Sequence, residues 1–514
     1  MKKKLFAAID VGSFELAMKI FEISSQSGLK EIDHIRHRLD LGTESYKTGK
    51  LSYDRMEELC RVLKEYAGIM EAYKVTEYRT FGTSAIRELE NTMIVLDRIK
   101  SRTGLDMSVL SNSEQRFLDY KSIAAKGEAF ETIIQEKTAI LDMGGGSIQV
   151  SLFDNGSLFA TQNMNLGILR LHEQIKRISP RSGQIRGILD EVIHTRLNEF
   201  KKLYLKEKEY KNLIVVDDYI SNIINRYQKG NEKKGFMSAN AFMKKMENWE
   251  NAGLKTMAKE LDVPEENVLL YVIAGLLLKG ILEITGAVQI WAPGVTLCDG
   301  IAYDYAEQNK LLKQSHDFEQ DILSCARSTN RRYQGSRQRS EALESIALTI
   351  FDSTRKIHGM GARERLLLRI AALLYDCGKY ISLSAVSECS YHIIMRTEII
   401  GLSHLEREIV ANVVKYNQTD FAYYEEIAKV GGIDREDYLK IAKLTAILRL
   451  ACGLDRSHKK KFTSVKASLH ENELWVQVEA LESIEMEKGL FQENGMFFEE
   501  VYSIRPILKQ KKTF

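Results

Sequence analysis

The sequence predicts an α/β protein of two similarly folded halves, followed by a mostly helical domain. Strand-and-turn patterns alternate with helical ones up to about residue 304, which calls for helices packed on a mixed sheet. The segment AAIDVGS (Ala7 to Ser13) returns as AILDMGGGS (Ala139 to Ser147) about 130 residues later, sharing strand, Asp, apolar residue, Gly and Ser. Two copies of one unit suggest two halves facing each other. From Ser336 to Leu450 the chain then carries long amphipathic helical patterns with few strand signals.

Taken in order, LFAAIDVGS and ELAMKIFEIS read as two strands around a tight turn, the second alternating apolar and polar. A helix is expected from about Ser52 to Ala72, then a strand in VTEYRTFGTSAIRE that ends at Gly82-Thr83-Ser84 with a helix start behind it. Met107 to Ser111 is a short strand feeding a helix near Glu114. LDMGGGSIQVSLF (Leu141 to Phe153) is the next strand-turn-strand. A charged helix from Glu191 to Tyr210, a strand in LIVVDD, a buried helix from Val268 to Leu278 and a strand in VQIWAPG (Val288 to Gly294) complete the second half. Lys466 to Ala480 reads as a β-hairpin. The expected domains are residues 1–125 and 126–310 for the two lobes, 311–460 for the helical domain and 461–514 for a small β-containing segment.

Composition narrows the function. Lys and Arg number 73 against 71 Asp and Glu, so the global basic signature of a nucleic-acid binder is lacking. Six cysteines are scattered without a C-x-x-C pair, which points to free thiols in a reducing cytoplasm. MKKKLFAAID begins like a signal peptide, but Asp10 stops the apolar run after five residues. The run VLLYVIAGLLL has eleven residues where a membrane span needs about 20, so no membrane partner is expected.

A glycine-rich turn after a strand presents several backbone N–H groups to one point, a concavity suited to phosphate. Gly12 and Ser13 in the first turn, and Gly144, Gly145, Gly146 and Ser147 in the second, are the expected phosphate contacts. Asp10 and Asp142, each at the end of its strand, are placed to hold a hydrated Mg²⁺ through carboxylate oxygens. Either turn alone is equally an ordinary hairpin; it is the matching pair that points to a site. No G-x-x-x-x-G-K-[ST] occurs, which excludes a P-loop.

AIDVGS, GTSAIRE, LSNSEQRFLDY, LDMGGGSIQV, MNLGILRL and VTLCDGIAY, in that order, resemble the exopolyphosphatase / guanosine pentaphosphate phosphatase (Ppx/GppA) family. The resemblance implies duplicated actin-like (ribonuclease H-like) lobes. AALLYDCGK, GLSHLEREIVANVVKYN and LRLACGLDRSH resemble the HD-type domain fused to longer members. The implied activity removes terminal phosphates from inorganic polyphosphate or the γ-phosphate from pppGpp, with Mg²⁺ neutralising charge and Arg87 clamping phosphate. The implied ligand is therefore inorganic polyphosphate or a guanosine polyphosphate; a homodimer is left open.

Departures from the family pattern carry equal weight. Its S-G-x-E-E-A stretch supplies a general base at the second Glu, where this chain has Gln115, with Glu114 one position earlier. A Gln orients water but takes no proton. The pattern G-G-G-S-T-E becomes GGGSIQ, placing Gln149 at a second acidic position, and Phe14 replaces a polar residue in the first turn. A Gly/Thr-rich loop after the central strand reads VVDDYIS. These changes suggest altered or lost catalysis. In the HD-like domain, Tyr375, Arg339, Cys389 and Asn417 stand where the resemblance expects histidines, so Asp376 alone leaves no metal set there. Arg327, Arg331, Arg332, Arg337 and Arg339 form a basic stretch that reads either as a polyanion track or as a solvated face; Lys459, Lys460 and Lys461 form a smaller one.

Overall fold

The computed structural model describes residues 3–25, 28–178, 184–206, 209–227, 234–250, 252–313, 316–430, 432–455, 461–480 and 482–511. The chain divides into two units, Met1–Asp317 and Phe318–Phe514. In the first, strands β1 (Lys4–Val11), β2 (Glu15–Ser24), β3 (Gly28–Arg38), β4 (Glu77–Gly82) and β5 (Met107–Val109) form one sheet in the order β3-β2-β1-β4-β5. β1, β2 and β3 are antiparallel neighbours, whereas β4 runs parallel to both β1 and β5.

The second sheet repeats this plan with β6 (Thr138–Met143), β7 (Ile148–Asp154), β8 (Ser157–Met164), β9 (Asn212–Val216), β10 (Phe236–Ser238) and β11 (Gln289–Trp291). Its order, β10-β11-β9-β6-β7-β8, again places a meander beside parallel strands, with β10 added at the edge. The echo between residues 7–13 and 139–147 is thus the matching β1–β2 and β6–β7 turns of two lobes. Each lobe has its own apolar core.

Three expectations need correction. The buried helix is longer than its apolar run, spanning Val268–Thr285. With its N-terminal extension it is long and apolar enough to cross a bilayer, yet most of it is buried in the core of the second lobe. Each fully buried Leu or Ile there contributes about 1.5–3 kcal/mol. The charged helix begins earlier, at Ile185, and after Phe200 loosens into a π-turn over Lys201–Leu205. The assignment of 126–310 to the second lobe also fails at its end. The helix Leu297–Gln308 returns to the first lobe, where Leu297, Cys298 and Ile301 pack with Phe6, Ala8 and Phe21.

The second unit contains helices including Arg337–Ser353, Ala362–Leu374, His404–Tyr416 and Arg435–Leu454. The expected hairpin is β12 (Phe462–His470) and β13 (Glu473–Ala480), and β14 (Arg505–Lys511) adds a third strand parallel to β13. Between them the helix Glu485–Tyr502 packs on Arg435–Leu454, so residues 461–514 are built into the helical domain. Lys459 and Lys460 lie outside the described residues; Lys461 pairs with the buried Glu487 at 3.0 Å.

Candidate phosphate-binding site

The two matching turns close in the same way. The Gly12 N–H donates to the Glu15 carbonyl (3.1 Å) and the Gly144 N–H to the Ser147 carbonyl (2.9 Å). These two amides are therefore consumed by the turns and do not serve a ligand, contrary to expectation. The next peptide groups behave differently. The Gly144 carbonyl accepts from the Ile168 N–H (3.1 Å) and the Gly145 carbonyl from the Arg170 N–H (3.0 Å). Arg170 Nε donates to the Gly146 carbonyl at 2.8 Å. All three carbonyls thus point at the start of the helix Ile168–Ile178. A planar trans peptide sends the following N–H the opposite way, so those of Gly145, Gly146 and Ser147 face away from that helix. Among the described residues, the N–H groups of Gly145 and Gly146 donate to no carbonyl.

Gly167 makes this packing possible. A methyl group there would lie 2.2 Å from the Gly145 oxygen and 2.3 Å from the Ser147 nitrogen. Gly167→Ala is expected to push the turn out of place and to cost about 1–3 kcal/mol, the usual range for overpacking. A lowered denaturation midpoint together with weakened polyanion binding is the expected outcome; an unchanged midpoint would show that the loop yields freely.

Both turns line a cavity of about 300 Å³. Ser13 Oγ, Tyr46 Oη and Ser84 Oγ form a ring of hydroxyls at 2.7–2.8 Å, tying the first turn to the segment after β4. A phosphate that bonds Ser13 must turn one hydroxyl out of this ring. Arg87 also lines the cavity, its guanidinium held by the Leu110 carbonyl (2.6 Å) and Asn112 Oδ1 (2.5 Å).

Carboxylates crowd the floor. Asp10 is half-buried, and its enclosed Oδ1 meets no hydrogen-bond partner among the described residues. Burial pushes its carboxyl up to about 7, with Glu15 and Asp218 adding to the shift. Asp142 is paired with the buried Arg116, whose Nη2 also donates to the Ser147 carbonyl (3.0 Å) and reaches Ser147 Oγ (3.3 Å). Burial, and then the neighbouring Asp142, hold Asp119 well above the ordinary carboxylate range. Arg36, which also lines the cavity, bridges Glu15 (2.6 Å) and Asp218 (2.8 Å). Asp217 Oδ1 accepts from the Ile220 N–H (2.7 Å), and burial raises its carboxyl too.

This arrangement does not fit the expected Mg²⁺. Asp10 and Asp142 do line one cavity, and Asp10 Oδ1 and Asp142 Oδ2 lack hydrogen-bond partners among the described residues, but Asp142 Oδ1 already holds the Arg116 guanidinium, which would stand against any ion bound there. No cluster of three or more His, Cys, Asp or Glu suited to a metal occurs among the described residues.

Of the other expected site residues, Gln115 lines the cavity and Glu114 does not. Glu114 completes a capping box: its carboxylate accepts from the Ser111 N–H (2.9 Å), while Ser111 Oγ accepts from the Glu114 N–H (3.3 Å). Glu114 is thus corrected from candidate base to helix cap. Gln149 stands opposite Asp142 in the sheet but is buried beside Ser151 (3.5 Å), not on the cavity wall. Sequence reasoning missed Tyr46, Arg116, Asp119 and Arg170. Asp119 was open to discovery, since it follows Gln115 by four residues and shares its helix face.

The second unit shows a parallel arrangement. Arg339 Nη1 lies 3.1 Å from Asp376 Oδ2, its Nε 3.8 Å from Asp455 Oδ2, and its guanidinium over the Tyr375 ring at 4.6 Å. Lys379 adds a second cation on Asp376 at 2.9 Å. Asn417 donates to Cys452 Sγ at 3.3 Å. Arg327 and Arg337 face Glu344 (3.7 Å) and Glu341 (2.7 Å), so three of the five arginines in the basic stretch are occupied by carboxylates, which weakens its reading as a polyanion track. With two cations on Asp376, the full-length protein is expected to retain no stoichiometric Mn, Fe or Zn there. Metal analysis after dialysis against a weak chelator checks this; a bound equivalent lost in Asp376→Asn would show it wrong.

Comparison with known proteins agrees with this architecture. The sequence profile of the Ppx/GppA phosphatase family matches residues 19–308, more than half of the chain. The chain belongs to the Ppx/GppA phosphatase family. The profile of Ppx/GppA phosphatase domain III matches residues 323–495, which makes the helical unit that domain. A guanosine-5'-triphosphate,3'-diphosphate pyrophosphatase from Vibrio atlanticus is 19% identical over 470 residues, covering 86% of each chain. An exopolyphosphatase 1 from Mycobacterium tuberculosis is 26% identical over 144 residues, 28% of this chain and 40% of that protein. A bifunctional 3-dehydroquinate synthase/phosphatase from Fusobacterium nucleatum is 23% identical over 176 residues, and the match spans only 26% of its length. The crystal structure of the Aquifex aeolicus Ppx/GppA family member superposes with a TM-score of 0.50 at 20% identity, covering 60% of this chain and 99% of that one. This likeness extends to the fold, two actin-like lobes.

Proposed function

We propose that this Ppx/GppA-family chain is a phosphohydrolase that binds inorganic polyphosphate or pppGpp between its lobes and acts on the terminal phosphate with a modified water-activating site. The observation that carries this reading is the Gly144–Ser147 turn. The carbonyls of Gly144, Gly145 and Gly146 are tied back to residues 168–170, the amides of Gly145 and Gly146 are left for an anion, and Arg87 shares the cavity. Backbone N–H groups and a fixed guanidinium placed in advance are what phosphoryl transfer uses most. Six free cysteines support a reducing cytoplasm as the place of action.

A second reading, a binding protein with little turnover, is favoured by one observation. Gln115 faces the cavity while Glu114 is locked in its cap. One experiment separates the two: phosphate release from polyphosphate and from pppGpp, set beside calorimetric binding of each. Binding with rapid release supports the hydrolase, and binding with little release supports the second reading. No binding of either ligand would remove both.

A further inference from the structure

We propose that Arg116 is a built-in cation that takes the place of a divalent metal at Asp142, so that the cleft binds its polyphosphate ligand without a metal. This rests on the reading of the cleft as a phosphate site. The guanidinium is placed by three features. The capping box fixes the first turn of the helix Asn112–Ala124, which starts Arg116 on the cavity side. Its Nη1 pairs with Asp142, and its Nη2 donates to the Ser147 carbonyl of the phosphate turn. Gly144 leaves the necessary space, since a methyl group there would come within 3.2 Å of Nη2.

Charge and position both follow. Arg116 is almost wholly buried, a state that a guanidinium tolerates only when paired and hydrogen-bonded. The guanidinium places one permanent positive charge against the phosphate turn, partly offset by its Asp142 partner. Guanidinium geometry matches phosphate oxygens, and its charge neither dissociates nor titrates in the working range. It therefore supplies part of the neutralisation expected of the metal and occupies one oxygen of the carboxylate that the metal would need.

The test uses the full-length protein and two readouts. Manganese titration followed by electron paramagnetic resonance, with no phosphate ligand present, should find no tight stoichiometric site. Arg116→Ala should create one, and Arg116→Ala with Asp142→Asn should abolish it. Calorimetric binding of inorganic tripolyphosphate should differ less than twofold between EDTA and Mg²⁺ in the unmodified protein, and should weaken at least tenfold in EDTA for Arg116→Ala. If that variant does not fold, Arg116→Gln removes the charge while keeping a hydrogen-bonding side chain, and the unmodified protein alone remains decisive. A stoichiometric Mn²⁺ in the unmodified protein that Asp142→Asn removes would overturn the proposal, as would tripolyphosphate binding abolished by EDTA. Absence of tripolyphosphate binding under both conditions would instead remove the phosphate reading of the cleft, and the manganese titration would still decide whether Arg116 excludes a metal.

Discussion

Gln115→Glu should raise phosphate release by about 10²–10⁴, the usual value of a positioned general base. Gln115 lines the cavity and follows directly after the capped start of its helix, so a carboxylate at that position would reach the same space. Affinity should change little, because a base acts on water rather than on the phosphate chain. The comparison variant is Glu114→Gln. Gln at this position can still complete the capping box, so stability should change by less than about 0.5 kcal/mol, with turnover unaffected. Steady-state phosphate release and thermal melts of both variants check the pair. If Glu114→Gln abolishes turnover while its melt is unchanged, the capping carboxylate leaves its helix during catalysis and the assignment is wrong.

Arg87→Ala should weaken polyanion binding by about 1.5–3 kcal/mol, the range for a charge-assisted hydrogen bond. Its guanidinium is held by a carbonyl and an amide oxygen, so it reaches the cavity already oriented and a ligand need not order it. Arg87→Lys should recover only part of the loss, because an ammonium cannot span both acceptors and the phosphate. Calorimetry with the fold verified by circular dichroism is the measurement; unchanged affinity in Arg87→Ala would take this residue out of the site.

The strand–Asp–Gly turns were legible because their signal is local: a few adjacent residues state both the geometry and the chemistry. The capping box was equally local, as Ser111-x-x-Glu114, but the same Glu stands next to the position of the expected base, so its sequence context fits both roles. Other elements gave no such signal. β3, GLKEIDHIRHR, is an edge strand without a fully buried residue, so it lacks the apolar alternation that marks β2. β14, RPILKQK, is half-exposed for the same reason. Arg116 was hidden differently. Its role exists only once residue 116 meets Asp142 and Ser147 across the fold, and no spacing within its own helix announces that. The return of residues 297–308 to the first lobe likewise depends on contacts with strands almost the whole unit away in sequence.

That returning helix bears on any attempt to dissect the protein. A fragment ending near residue 125 would lack the layer that covers Phe6, Ala8 and Phe21, and would expose an apolar face. The complementary fragment would carry the amphipathic helix Leu297–Gln308 with no surface to receive it. The contact is also tight: a methyl group on Gly300 would fall 1.9 Å from the Leu118 carbonyl oxygen. The two lobes are therefore interdependent in folding, and separately expressed halves should aggregate alone yet recover solubility when co-expressed. In evolutionary terms, the duplication that built two equivalent lobes has since been sewn shut, because the first repeat takes one of its walls from the chain that follows the second.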